Sequence, residues 1–139
     1  MKEIVGVMVK LSVPAEKVWK VIASVGGVDK WSPMITSCRV EGAGPGSKRF
    51  CEMGDGTKLN EVVDEIDESH KRFKYRITSG LPVEGYEGTI EVKAVDGGAT
   101  QVTWWSAYAA GADVAEGMRQ MIREALGASL LGLEKYCRN

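Results

Sequence analysis

The chain has 139 residues, with 18 basic against 19 acidic side chains and a net charge of -1. That length suits one domain, residues 1–139, able to bury about two thirds of the surface its unfolded chain exposes. The charge balance, without a basic block or stripe, argues against nucleic acid as the main partner. No run approaches the roughly 18 apolar residues of a membrane span, and the start MKEIVGVMVKLSV lacks the layout of a signal peptide. Cys38, Cys51 and Cys137 make an odd count without metal-type spacing. Together these features lead us to expect a cytoplasmic protein with reduced thiols and no stable membrane association.

In chain order, Glu3–Ser12 reads as a strand, with Val5, Val7, Val9 and Leu11 alternating against Ile4, Gly6, Met8 and Lys10. Pro14 suits the first position of a helix, where its missing N–H costs nothing. Val18, Trp19, Val21, Ile22 and Val25 form that helix's apolar face, and Gly26-Gly27 ends it. Val28–Trp31 adds a short helical turn before Ser32-Pro33. Strands follow at about Thr36–Glu41, Lys48–Met53, Thr57–Asp67, Arg72–Thr78, Tyr86–Val95 and Thr100–Ala109, joined by glycine-rich turns of hairpin type. Tyr86, Gly88, Ile90, Val92 and Ala94 share one face of their strand, as do Phe73, Tyr75 and Ile77, and Val102, Trp104, Ser106 and Tyr108.

Residues 112–137 form one long helix whose apolar stripe recurs at three- and four-residue steps through Val114, Met118, Met121, Ile122, Ala125, Leu126, Ser129, Leu130 and Leu133. Gly127 and Gly132 within it each cost about 1 kcal/mol relative to alanine, and are read as points of close backbone approach. The expected fold is α+β: a curved antiparallel sheet gripping a long C-terminal helix, with two short helices between strands 1 and 2. One helix cannot fill a wide sheet, so a cavity for a small molecule is expected between them.

Little of the chain offers chemistry. The lone histidine, His70, falls in Glu68-Ser69-His70-Lys71, a turn and a poor place for a sheltered base. Ligands for a catalytic zinc site are not apparent, and nothing in the sequence calls for a cofactor. Gly42-x-Gly44-x-Gly46 continues into strand at Ser47-Lys48-Arg49-Phe50, so it is a turn and not the phosphate cradle that must open a helix.

The segment Val13-Pro14-Ala15-Glu16-Lys17-Val18-Trp19, then Trp31, Glu41-Gly42-x-Gly44-x-Gly46 with Arg49, and Gly56 followed by Glu61 resembles the SRPBCC superfamily. Tyr75-Arg76-Ile77, Leu81-Pro82-Val83 with Tyr86, and Val102-Thr103-Trp104 continue the likeness over essentially the whole chain. This is the START and birch-pollen-allergen-like helix-grip fold, and the motif order is most similar to microbial polyketide-cyclase/dehydrase-type proteins and to the branch holding plant abscisic-acid receptors. The resemblance implies seven strands and an apolar ligand between sheet and helix. It does not imply one activity, because the fold hosts receptors, lipid carriers, cyclases, aromatases and chaperone co-activators.

The receptors' carboxylate-binding lysine aligns with Thr36. Ser79-Gly80-Leu81-Pro82 spells their gate motif one hairpin too late, and the latch's His-Arg pair is absent, so a hormone receptor of that type is not expected.

A turn centred on Asp55 would set Cys51 opposite Leu59 and Arg49 opposite Glu61, and the 42–46 loop would set Cys38 opposite Cys51. The resemblance puts Glu61 on the cavity side. Two charges there must be paired or watered, either as a clamp on strand register or as a polar anchor for a ligand. The expected ligand-binding residues are Thr36, Arg49, Glu61, Tyr75, Ile77, Tyr86, Ile90, Trp104, Ser106, Tyr108, Met118, Met121 and Ala125. Met118 and Met121 fit plain core as well as an adaptable site.

Three functions remain: a carrier or sensor of a small hydrophobic or aromatic molecule; a cyclase, aromatase or dehydratase using Glu61 and cavity tyrosines as acid and base; or an interaction module presenting its exposed sheet face or Trp105. Binding is favoured, no catalytic residue is assigned, and a homodimer is compatible with the sequence.

Overall fold

Alternating apolar and polar residues give seven antiparallel strands in a computed structural model that describes residues 2–139. β1 (Lys2–Leu11) leads into α1 (Ala15–Ala23) and α2 (Val28–Trp31); β2 (Ile35–Glu41), β3 (Lys48–Met53), β4 (Lys58–Asp67), β5 (Arg72–Ser79), β6 (Glu84–Val95) and β7 (Ala99–Ala109) follow, and α3 (Ala115–Arg138) closes the chain. The sheet is open, in the order β1-β7-β6-β5-β4-β3-β2, so the first two strands in sequence are its two edges. The fold is the expected α+β arrangement. None of the helices is long and apolar enough to cross a membrane, among the described residues.

The expected registers are present, with Cys38 opposite Cys51, Cys51 opposite Leu59, and Arg49 opposite Glu61. The core lies on one face of the sheet. It joins Val5 and Leu11 of β1, Val63, Phe73, Ile90 and Val102 of the inner strands, and Ile122, Leu126, Leu130 and Leu133 of α3.

Three local readings are corrected. Pro14 is the cap before α1, with extended backbone (φ -61°, ψ 144°), and not its first helical residue. Helix α3 begins at Ala115, because Gly111–Val114 is spent in a turn whose Gly111 carbonyl accepts from both Val114 N and Ala115 N. Gly127 faces open space, where an added Cβ would meet nothing within 4 Å, whereas a Cβ at Gly132 would lie 2.0 Å from the Trp31 carbonyl oxygen. Only Gly132 marks a close approach, and it is what lets α2 rest on α3.

Helix α1 ends in an unusual way. Val25 has φ 68°, a left-handed conformation that costs a β-branched residue energy and persists only when its surroundings enforce it.

Candidate functional site

Between the sheet and α3 lies a cavity of about 100 Å³. Its walls come from β2 to β7, from α1 and α2 and from the middle of α3: Ile35, Arg49, Cys51, Glu61, Phe73, Tyr75, Ile77, Tyr86, Ile90 and Trp104 on the sheet, Ile22 on α1, Trp31 and Val28 on α2, and Met121, Ile122, Ala125, Leu126 and Ser129 on the long helix. The volume falls short of the roughly 150 Å³ of a cavity that takes benzene, and well short of the roughly 300–1,000 Å³ of pockets for drug-sized ligands. Met34, Met53, Met121 and Leu81 are in the wall. Unbranched methionine side chains can swing aside and enlarge such a space.

One charged pair faces this apolar chamber. Arg49 and Glu61 are 7% and 8% exposed. Arg49 Nε donates to Glu61 Oε1 at 2.8 Å, with a second guanidinium nitrogen 2.8 Å from the same oxygen. A third, Nη1, donates to the Val25 carbonyl at 3.1 Å. The guanidinium also lies over the rings of Phe73 and Tyr75, at 5.4 and 5.3 Å from their centroids. Burial disfavours its charge, but the Glu61 carboxylate beside it prevails and moves the Arg49 pKa upward. Glu61 Oε2 receives no protein donor among the described residues.

Aromatic polar groups make a second layer. Trp104 Nε1 donates to the Tyr75 hydroxyl at 3.1 Å, and the Tyr86 hydroxyl shares a 2.5 Å hydrogen bond with Ser106 Oγ. Burial raises the Tyr75 pKa well above its ordinary value. Burial likewise pushes Tyr86 up to about 12, against the opposing pull of its Ser106 bond. Both therefore hold their protons at neutral pH. Gly88 makes room for this layer: the Tyr75 ring lies over it, and a Cβ there would sit 2.2 Å from Tyr75 Cζ. Ser32 Oγ and Ser129 Oγ meet at 2.7 Å where α2 touches α3. The Trp31 indole N–H is buried without an acceptor among the described residues.

Of the expected site residues, Arg49, Glu61, Tyr75, Ile77, Tyr86, Ile90, Trp104, Met121 and Ala125 line the cavity. Four do not. Thr36 is the extra residue of a bulge between Ile35 and Ser37, which turns it outward so that its hydroxyl bonds the Glu52 carbonyl; its neighbour Ile35 lines the wall instead. Ser106 lies beneath Tyr86, fully buried. Tyr108 stacks on Tyr86 at 5.8 Å, and Met118 packs in the core a turn before Met121. The sequence reading missed the α2 wall, although Trp31 and Val28 carried its signal as apolar residues in a four-residue helix. His70 is exposed in the β4–β5 turn beside Asp67.

The family described as polyketide cyclase / dehydrase and lipid transport matches residues 4–138. The chain belongs to that family, which is of SRPBCC type. A search of curated proteins gives no match. Among solved structures, the protein XoxI from Bacillus cereus superposes with a TM-score of 0.87 at 20% identity, over 98% of this chain and 96% of that one. A protein from Thermobifida fusca gives 0.84 at 24% identity, over 97% and 93%. Norcoclaurine synthase from Thalictrum flavum, in complex with dopamine and hydroxybenzaldehyde, gives 0.80 at 16% identity, over 97% and 86%. At such identities the likeness is one of fold.

Proposed function

We propose that this family member binds a compact aromatic or apolar molecule carrying at least one polar group, and acts as a carrier or sensor. The observation that carries the reading is the chamber itself: apolar and aromatic walls around a buried ion pair, whose Glu61 Oε2 accepts no hydrogen bond from the protein among the described residues. A hydroxyl on the ligand satisfies that oxygen. At about 100 Å³ even a single ring requires the methionines of the wall to move, and larger ligands require more, so the compact end of the range is favoured. Norcoclaurine synthase holds one-ring phenolic compounds on the same fold, which supports that size class without assigning its reaction here.

Catalysis is the second reading, and the polar groups favour it less. The tyrosines keep their protons, so they serve as hydrogen-bond donors in preference to bases, and Glu61 is tied to Arg49 through one oxygen. Trp105, the candidate contact of an interaction module, is half-buried with its Cβ against Gly6 of β1.

A thermal-shift panel of one-ring phenolic aldehydes and amines, two-ring aromatics and fatty acids tests the proposal, with Ala125→Phe as the plugged control. One-ring compounds should raise the melting temperature of the wild type and leave the variant unmoved. No response to any compound, or equal responses in both proteins, refutes the reading. Product analysis by mass spectrometry on the same mixtures separates binding from turnover.

A further inference from the structure

Cys38 and Cys51 are direct partners across β2 and β3. Opposed residues of an antiparallel pair have Cα atoms about 4.5 or 5.5 Å apart, and both spacings fall within the range a disulfide spans. The two sulfurs already stand 2.7 Å apart. Both cysteines are free; Cys51 is buried in the cavity wall, and Cys38 is half-buried on the edge strand. Direct opposition puts them on the same face of the sheet. A reagent therefore reaches the outer sulfur, and the inner one stands behind it.

We propose that Cys38 and Cys51 form an oxidisable dithiol, a modification site at which peroxide closes a reversible cross-strand disulfide. The Cys38 thiolate attacks one oxygen of hydrogen peroxide; the O–O bond breaks, leaving a sulfenic acid on Cys38 and a hydroxide that takes up the proton Cys38 had released. The Cys51 sulfur then attacks the Cys38 sulfur. The S–O bond breaks, and the hydroxyl departs as water with the Cys51 proton. In sum, two thiols and one hydrogen peroxide give one disulfide and two waters, each sulfur losing one electron to the peroxide oxygens.

The order of attack has its own support. The Cys51 thiol donates to Cys38, which lowers the Cys38 pKa, and the nearby Arg49 cation adds to that effect. The same hydrogen bond, together with burial, raises Cys51. The half-buried outer sulfur is thus the better thiolate, and the buried one is placed to resolve it. The product would tie edge strand β2 to β3, the strand that carries Arg49.

The test uses the reduced wild-type chain, treated with hydrogen peroxide, quenched with iodoacetamide after unfolding, and mapped by mass spectrometry without reductant. The expected product is a monomer lighter by two hydrogens, with the Cys38 and Cys51 peptides linked, Cys137 alkylated, and full reversal by dithiothreitol. Cys38→Ser should give no link and leave Cys51 reduced at the same dose. The proposal is overturned if Cys38 is carried to sulfinic acid while Cys51 remains alkylatable. It is also overturned if the link joins two chains, if all three thiols survive a dose that oxidises free dithiothreitol, or if Cys51 is oxidised equally fast in Cys38→Ser.

Discussion

Arg49 does three things with one guanidinium: it neutralises Glu61, caps the carbonyl of a left-handed Val25, and covers two aromatic rings. Removing either partner of a buried pair leaves the other charged and alone, at a cost of roughly 3–5 kcal/mol. Arg49→Met and Glu61→Leu should each show that loss in denaturant titration. The double variant should recover most of it, short of the part lost when Val25 loses its donor. If the pair is only a register clamp, the double variant keeps its affinity for any one-ring ligand found by thermal shift; if Glu61 Oε2 anchors the ligand, affinity falls even though the protein folds. The facing of these two residues was legible because a short glycine turn fixes hairpin register, and register fixes which side chains oppose one another. Thr36 was not legible. A bulge inserts one residue without a composition signature, and every inference of facing changes at that point.

At the level of elements, α3 carries two interior glycines that sequence alone could not tell apart. Gly132 lies against the backbone of Trp31, and backbone cannot step aside as a side chain can. Gly132→Ala should force α2 from α3 and cost about 1–3 kcal/mol. Gly127 meets nothing, so Gly127→Ala should raise stability by up to about 1 kcal/mol through helix propensity and a less flexible unfolded chain. Urea unfolding of the two variants beside wild type should therefore give midpoints on opposite sides of it. The stripe of α3 was readable because its period matches a helix. Which of its turns would face a cavity was not: Met121, Ala125 and Ser129 line it while Met118, one turn earlier, packs in the core, and that depends on how side chains from the sheet and α2 pack beneath them.

For the molecule as a whole, the tyrosine layer ties stability to alkaline pH. Tyr86 ionises at about 12 in the folded chain, and Tyr75 is likewise raised above the ordinary 10. Between those limits the folded state holds protons that the unfolded state has lost. Their contribution is fully present below pH 10 and is lost as pH rises through about 12. For Tyr86 alone the loss is on the order of 2–3 kcal/mol. Denaturant titrations at about pH 8, 10 and 11.5 should show stability falling over the upper interval, and the fall should be shallower in the Tyr86→Phe, Ser106→Ala variant. The topology was readable from period-two strands, turn glycines and one long helical stripe, since these follow from local sequence. The size of the chamber was not, because it is the small remainder left after large side chains from β2 to β7, α1, α2 and α3 have packed.

Trp31 and Trp104 both belong to the wall of that chamber and form an aromatic pair, with ring centroids 6.2 Å apart and planes tilted by 55°. Two indoles so close and so inclined couple their electronic transitions, so the near-ultraviolet circular dichroism of the protein carries a signature of their mutual geometry. A guest in the chamber that displaces either ring changes spacing, tilt or both. The other two tryptophans are placed elsewhere: Trp19 bonds Glu68, and Trp105 packs at β1. Any guest that moves either indole would thus be readable by light alone, without a label and without knowing its identity.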